Sequence, residues 1–92
     1  MSQVKVLQMP IFKKAYKKLH NKARLEVDKA IKKIIEEPKL GEEKRGDLAG
    51  VFVYKFKIKH QEMLLAYEWL PRQRTLLALG VHENFYKKLK KH

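Results

Sequence analysis

Lys55, Lys57 and Lys59 alternate with apolar residues in a short segment that follows Gly50. This alternation is typical of a β-strand, because successive side chains of a strand point to opposite faces of the sheet. The pattern predicts one apolar face and one face with three ammonium groups, about 6.5–7 Å apart along the strand. These charges repel one another, so an anion that bridges them would be favoured, and phosphate is the natural candidate. The alternative is a solvated lysine face without a ligand.

Histidine supplies the second candidate for chemistry. His82 follows Gly80 and Val81 at the end of a predicted strand, and Tyr86 comes four residues later, on the same side of a helical turn. Histidine and tyrosine both exchange protons with reacting groups, so this pair is a candidate for acid-base catalysis. His60 follows the lysine row in a predicted turn. Each of these residues could instead be an ordinary turn or helix-flanking residue.

Composition excludes several other chemistries. The chain has no cysteine, which excludes a disulfide framework, a thiolate nucleophile and a cysteine-ligated metal. Ser2 is the only serine and lies near the amino terminus, so a Ser-His-Asp site is not expected. His82-Glu83 resembles the start of an HExxH zinc motif, but Tyr86 stands where the second histidine would be. We therefore expect neither a metal nor a cofactor.

The chain is short and strongly basic. Its 92 residues carry 22 Lys and Arg against 10 Asp and Glu, a formal net charge of +12. Both residues 1–37 and residues 51–92 have an excess of basic over acidic side chains, so the charge is not confined to a tail. Nucleic acid is the first expected partner and an acidic protein the second. The length predicts one domain over residues 1–92. No membrane-length apolar run or signal peptide is present, which favours a cytoplasmic protein with no membrane partner.

Hydrophobic periodicity predicts the elements that position these residues. The apolar stretch Val4–Leu7 predicts a first strand that ends at Pro10. Two helical stripes follow, in residues 11–19 and 23–34, and their short connection allows only an antiparallel helix hairpin. Residues 38–50 hold three of the four glycines and show no periodicity, which predicts a loop.

Three further strands and a helix are predicted after this loop. The first strand carries the lysine row, and Met63–Tyr67 is apolar at every position, which suits a central strand covered on both faces. Thr75–Leu79 forms the last strand after a turn at Pro71–Gln73, and Glu83–Lys91 is compatible with a short helix. The order β-α-α-β-β-β-α predicts an α+β domain, with the helix hairpin packed on one face of a small, mainly antiparallel sheet.

This order, together with two sequence stretches, resembles the RelE/ParE superfamily of bacterial type II toxins. The stretches are Phe12–Leu19, with the sequence FKKAYKKL, and Leu79–Tyr86, with the sequence LGVHENFY. The resemblance covers nearly the whole chain. RelE-like members cut mRNA in the ribosomal A site and are silenced by a cognate antitoxin, whereas ParE-like members share the fold and poison DNA gyrase. The resemblance therefore implies the same fold and one of these two toxic activities.

The resemblance also implies roles for individual residues. Lys55 and Lys57 match two alternating lysines of the RelE pattern that face the scissile phosphate. The family's charge-stabilising arginine on the next strand falls at Leu64 in this chain. His82 stands where members carry arginine or histidine, and Tyr86 is nearest to the tail aromatic that positions the RNA. The residues expected to bind RNA, three of which could compensate for the missing arginine, are Lys59, His60, Arg72 and Arg74.

The leading hypothesis is a ribosome-dependent mRNA endoribonuclease that works without a metal. Lys55 or Lys57 would serve as base and stabilise the phosphate, His82 would be the acid, and Tyr86 would orient the base or ribose. The first alternative is a ParE-like gyrase poison without nuclease activity, and the second is an RNA- or ribosome-binding protein without toxicity. Besides mRNA and the ribosome, the expected partner is a cognate antitoxin with an acidic segment that folds on the toxin.

Overall fold

The computed structural model describes residues 3–81 and residue 85. These residues form two helices and a five-stranded mixed sheet. The elements, in chain order, are β1 (Lys5–Gln8), α1 (Pro10–Lys17), α2 (Asn21–Glu36), β2 (Glu42–Glu43), β3 (Phe52–Ile58), β4 (Gln61–Leu70) and β5 (Gln73–Gly80). The predicted α+β architecture is confirmed. The predicted helix over Glu83–Lys91 lies outside the described residues, apart from Phe85.

The sheet has the strand order β1-β5-β4-β3-β2. The central strand β4 runs antiparallel to both of its neighbours, β3 and β5, and β1 is parallel to β5. Met63–Tyr67 of β4 is buried throughout, as its uninterrupted apolar sequence predicts. The segment predicted as a loop contains the short strand β2, which pairs with the beginning of β3. No helix among the described residues is long and apolar enough to cross a membrane.

The helices pack against one face of the sheet through their apolar stripes. Phe12 of α1 and Val27, Ala30 and Ile34 of α2 are buried there. The hairpin is held by Arg24, whose guanidinium donates hydrogen bonds to carbonyl oxygens in the last turn of α1 at 3.3 and 2.8 Å. A cation at the C-terminus of a helix satisfies carbonyls that lack partners within the helix and interacts favourably with the helix dipole.

Both faces of the sheet carry an apolar cluster. The helix-side cluster is the larger, and includes Met63, Leu65 and Tyr67 of β4. The cluster on the opposite face is formed by Val51, Val53, Leu64, Ala66, Ala78 and Phe85. The residues of β4 therefore alternate between two apolar clusters along its middle, as expected for a strand that is covered on both sides.

Arg74 ties the C-terminal end of α2 to the turn between β4 and β5. It is only 2% exposed, and its guanidinium donates hydrogen bonds to the carbonyl oxygens of Ile34, Ile35 and Leu70 at 2.7–2.8 Å. The guanidinium also lies 5.9 Å from the ring centroid of Trp69. Burial lowers the pKa of Arg74 from its usual value. Its donors are used by carbonyls of the protein itself, so Arg74 is a buried residue that links two elements, and its predicted contact with RNA stays a prediction.

Tyr67 fixes the segment that leads into β2. Its buried hydroxyl donates a hydrogen bond to the Pro38 carbonyl oxygen at 2.6 Å and accepts one from the Gly41 amide at 2.9 Å. A Cβ atom at Gly41 would lie 2.7 Å from this hydroxyl oxygen, which explains the absence of a side chain there. Burial raises the pKa of Tyr67, so the hydroxyl keeps the proton that it donates. This contact holds β2 against the edge of β3.

Replacing Tyr67 by Phe should lower the free energy of unfolding by about 1–3 kcal/mol, since one buried amide and one carbonyl lose their partner. Denaturant unfolding of the purified chain measures this loss. Tyr54→Phe is the matched control, because Tyr54 is half-buried and its hydroxyl makes no hydrogen bond within the described part of the chain. An equal loss in both variants would contradict the role assigned to the Tyr67 hydroxyl.

Candidate functional site

Lys55 and Lys57 lie on the face of β3 that points away from the helices. Both are exposed, whereas Val53, on the same face, is buried in the second apolar cluster. Lys55 is directly opposite Leu64 of β4, and Lys57 is directly opposite Glu62. The face therefore changes along the strand from apolar to charged. We call this charged end, defined by Lys55, Lys57 and Glu62, the lysine face.

Lys59 is not part of this row, which corrects the prediction of three aligned lysines. Strand β3 ends at Ile58, which is directly opposite Gln61, so Lys59 and His60 form a two-residue turn between β3 and β4. Lys59 has a φ of 58°, a left-handed conformation that β-strands do not contain and that glycine adopts most easily. The predicted turn at His60 is confirmed. Both turn residues are exposed at the tip of the hairpin, next to the lysine face.

The end of β5 lies two strands away from Lys55. Leu64 is directly opposite both Lys55 and Gly80, so these three residues form a line across β3, β4 and β5. Two strand spacings place the backbones of Lys55 and Gly80 about 10 Å apart. His82 follows Gly80 by two residues in the sequence, but His82 and Tyr86 lie outside the described residues. Their assignment to the site stays a prediction.

Leu64 occupies the centre of this line and is fully buried. It belongs to the second apolar cluster together with Phe85, which is also buried. A Cβ atom on Gly80 would be 3.9 Å from the Phe85 ring, so the ring packs close to the end of β5. The position that the resemblance assigns to a charge-stabilising arginine is therefore used here for apolar packing, directly beside Lys55.

Two carboxylates flank the lysines. Glu42 of β2 accepts a hydrogen bond from the Lys44 ammonium at 2.6 Å, and the pKa of Glu42 is lowered mainly by Lys44, with a smaller contribution from Lys55. Glu62 is opposite Lys57, but within the described part of the chain no ion pair of 4.0 Å or less joins them. Glu62 was not among the predicted site residues. The two-residue turn could have revealed it, because the turn fixes which residues of β3 and β4 face each other.

Arg72 is not part of this site. It lies in the turn after Leu70, at the opposite end of β4 from the Lys59 turn. A strand of ten residues is about 33 Å long, so this separation exceeds the reach of any side chain. The structure brings Lys55 and Lys57 together with the Lys59–His60 turn and places Arg72 and Arg74 elsewhere. No group of three or more metal-binding side chains occurs among the described residues.

Comparison with known proteins relates the chain to bacterial toxins. A family model described as ParE-like toxin of type II bacterial toxin-antitoxin system matches residues 6–90. A chain of the intact E. coli RelBE toxin-antitoxin complex has a TM-score of 0.69 and 17% identity, with 87% of this chain and 98% of that chain covered. The YoeB/ParE toxin from Agrobacterium tumefaciens has a TM-score of 0.70 and 16% identity, with 86% and 99% covered. At these identities the structural similarity shows the fold. A comparison with curated proteins finds no match.

Replacing both Lys55 and Lys57 by Ala should leave the melting temperature nearly unchanged or raise it slightly, because both side chains are exposed and repel each other. Thermal unfolding followed by circular dichroism measures the effect. Leu64→Ala, directly beside Lys55, should lower the free energy of unfolding by about 2–5 kcal/mol. A cooperative transition at a clearly lower temperature in the double lysine variant would show that these lysines support the fold.

Proposed function

Because the chain belongs to the family of ParE-like toxins of type II bacterial toxin-antitoxin systems, we propose that it is a single-domain cytoplasmic toxin that cleaves mRNA on the ribosome. The observation that carries this proposal is the exposed pair Lys55 and Lys57. Lys55 is directly opposite Leu64, and Leu64 is directly opposite Gly80, so the pair lies two strands away from the end of β5. Two cations at this spacing suit the non-bridging oxygens of a phosphodiester. Their exposure leaves them accessible to a macromolecular substrate.

The proposed reaction is an internal transesterification. The ribose 2′-oxygen attacks the adjacent phosphorus, the bond from phosphorus to the 5′-oxygen breaks, and the products are a 2′,3′-cyclic phosphate and a 5′-hydroxyl. Lys55 and Lys57 stabilise the negative charge that builds up on the phosphate, which is commonly the largest contribution in reactions of this kind. His82 protonates the leaving 5′-oxygen, and Tyr86 orients the base or ribose. This scheme requires no metal ion.

A specific observation favours the alternative of a gyrase poison with the same fold. Leu64 stands at the position of the family's charge-stabilising arginine and is buried against Phe85, so one cation of the RelE pattern is absent from the centre of the face. The retained Lys55 and Lys57 favour the nuclease, because a protein that acts by binding gyrase would not need two cations aligned for one phosphate. The two functions predict different damage in the cell.

We also propose that a cognate antitoxin with an acidic, amphipathic segment neutralises the toxin. The formal charge of +12 favours such a partner. A groove of about 550 Å³ between α1 and the ends of β4 and β5 offers apolar contacts with lysines at its rim. Its lining includes Ile11, Lys14, Lys18, Leu19, Met63 and Leu79. The E. coli relative in the comparison is itself part of a toxin-antitoxin complex.

Expression in a bacterium tests the proposed activity. The wild-type chain should arrest translation with loss of mRNA. In the double variant Lys55→Ala and Lys57→Ala, cleavage should fall at least about 10²–10³-fold, the usual effect of removing one charge-stabilising group. Lys32→Ala with Lys33→Ala is the matched control, because it removes two exposed lysines from α2 and should stay toxic. Growth, RNA sequencing of cleavage ends and a DNA-damage reporter are measured together. DNA damage with intact mRNA, in both the wild type and the double variant, would contradict the nuclease function and support the gyrase poison.

A further inference from the structure

Glu62 is placed on the lysine face by the register of the hairpin. It is directly opposite Lys57, and opposite residues of an antiparallel pair project from the same face with Cβ atoms about 4.5–5.5 Å apart. Lys55 is its diagonal neighbour on β3, and the exposed turn residues Lys59 and His60 lie at the adjacent hairpin tip. Glu62 is exposed and, within the described part of the chain, no ion pair of 4.0 Å or less joins it to Lys57. Its carboxylate is therefore accessible to a ligand on this face.

The proposed reaction needs a group that accepts the proton of the ribose 2′-hydroxyl. A lysine ammonium group has only donor atoms, so Lys55 and Lys57 are suited to stabilise negative charge on a phosphate. A carboxylate has only acceptor atoms, so it is suited to take up a proton. Glu42, the other carboxylate beside these lysines, is already hydrogen-bonded to Lys44. Glu62 is thus the better placed proton acceptor on the lysine face.

A carboxylate at this position has opposite effects on substrate and transition state. It repels the phosphate of the bound substrate, so it weakens binding. When it takes up a proton as negative charge builds on the phosphate, this repulsion disappears while the lysines still attract. An interaction that is more favourable in the transition state than in the ground state accelerates the reaction. A carboxylate that serves only as a surface charge would weaken substrate binding without accelerating the reaction.

We propose that Glu62 is a further catalytic residue, the general base of the mRNA cleavage. Its carboxylate takes the proton of the 2′-hydroxyl as the 2′-oxygen bonds to phosphorus, and the proton that neutralises the leaving 5′-oxygen comes from His82. One proton is accepted and one is donated, so the step balances without a further reactant. This inference rests on the proposed function, and it assigns Lys55 and Lys57 to charge stabilisation alone.

Glu62→Gln tests the proposal, with single-turnover cleavage of ribosome-bound mRNA and equilibrium binding to the same ribosomes as readouts. The cleavage rate should fall about 10²–10⁴-fold, while binding is unchanged or tighter. Glu62→Asp keeps a carboxylate and should recover part of the rate. Glu68→Gln is the control, because it makes the same change at an exposed residue of the same strand, and its cleavage rate should equal that of the wild type.

Two results would overturn the proposal. A Glu62→Gln variant that cleaves as fast as the wild type, or faster, would show that the carboxylate only repels the substrate. Parallel losses of binding, melting temperature and rate would show that Glu62 supports the local structure. If the wild-type chain leaves ribosome-bound mRNA intact, the proposed function itself fails and Glu62 loses its role with it. The wild-type reaction therefore separates the two kinds of failure.

Discussion

The structure depends on the burial of β4 between two apolar clusters. Leu64 and Leu65 are both fully buried, one under the cluster that contains Phe85 and the other under the helices. Burying one such side chain contributes about 1.5–3 kcal/mol. A shift of the strand by one residue would turn Glu62 and Glu68 towards the helices, so the register against both neighbouring strands is strongly specified. Because β3 and β5 pair with this strand, β4 also sets where their side chains meet.

The candidate site forms where this apolar stretch ends. The second apolar cluster extends from Val53 to Leu64, and beyond it the same face carries Lys55, Lys57 and Glu62. The paired strands β3 and β4 thus hold charged groups at an exposed edge of the cluster. Lys55 and Lys57 lie side by side there, next to apolar residues whose burial stabilises this part of the sheet.

The elements could be predicted from the sequence better than the contacts between them. Periodicity in the chain predicts the helix hairpin, the three long strands and the exposure of Lys55 and Lys57. It does not predict that Arg74 is buried, because two of the carbonyl acceptors of this arginine belong to α2, about 40 residues earlier in the chain. The alternation of lysine and apolar residues also continues in the sequence through Lys59, although the backbone turns there with a positive φ. The position of Glu62 opposite Lys57 depends on how β3 pairs with β4, and the residue pattern within one strand does not specify that pairing.

The salt dependence of binding tests most directly whether Lys55 and Lys57 contact RNA phosphates, as we propose. Each phosphate contact contributes about 0.7 to the slope of log K against log salt concentration for a single strand. For ribosomes carrying an mRNA, the double variant Lys55→Ala and Lys57→Ala should show a slope smaller by about 1.4 than the wild type. The exposed pair Lys32 and Lys33, replaced in the same way, should leave the slope unchanged. Equal slopes for the wild type and the Lys55 and Lys57 variant would show that these two lysines do not contact RNA phosphates.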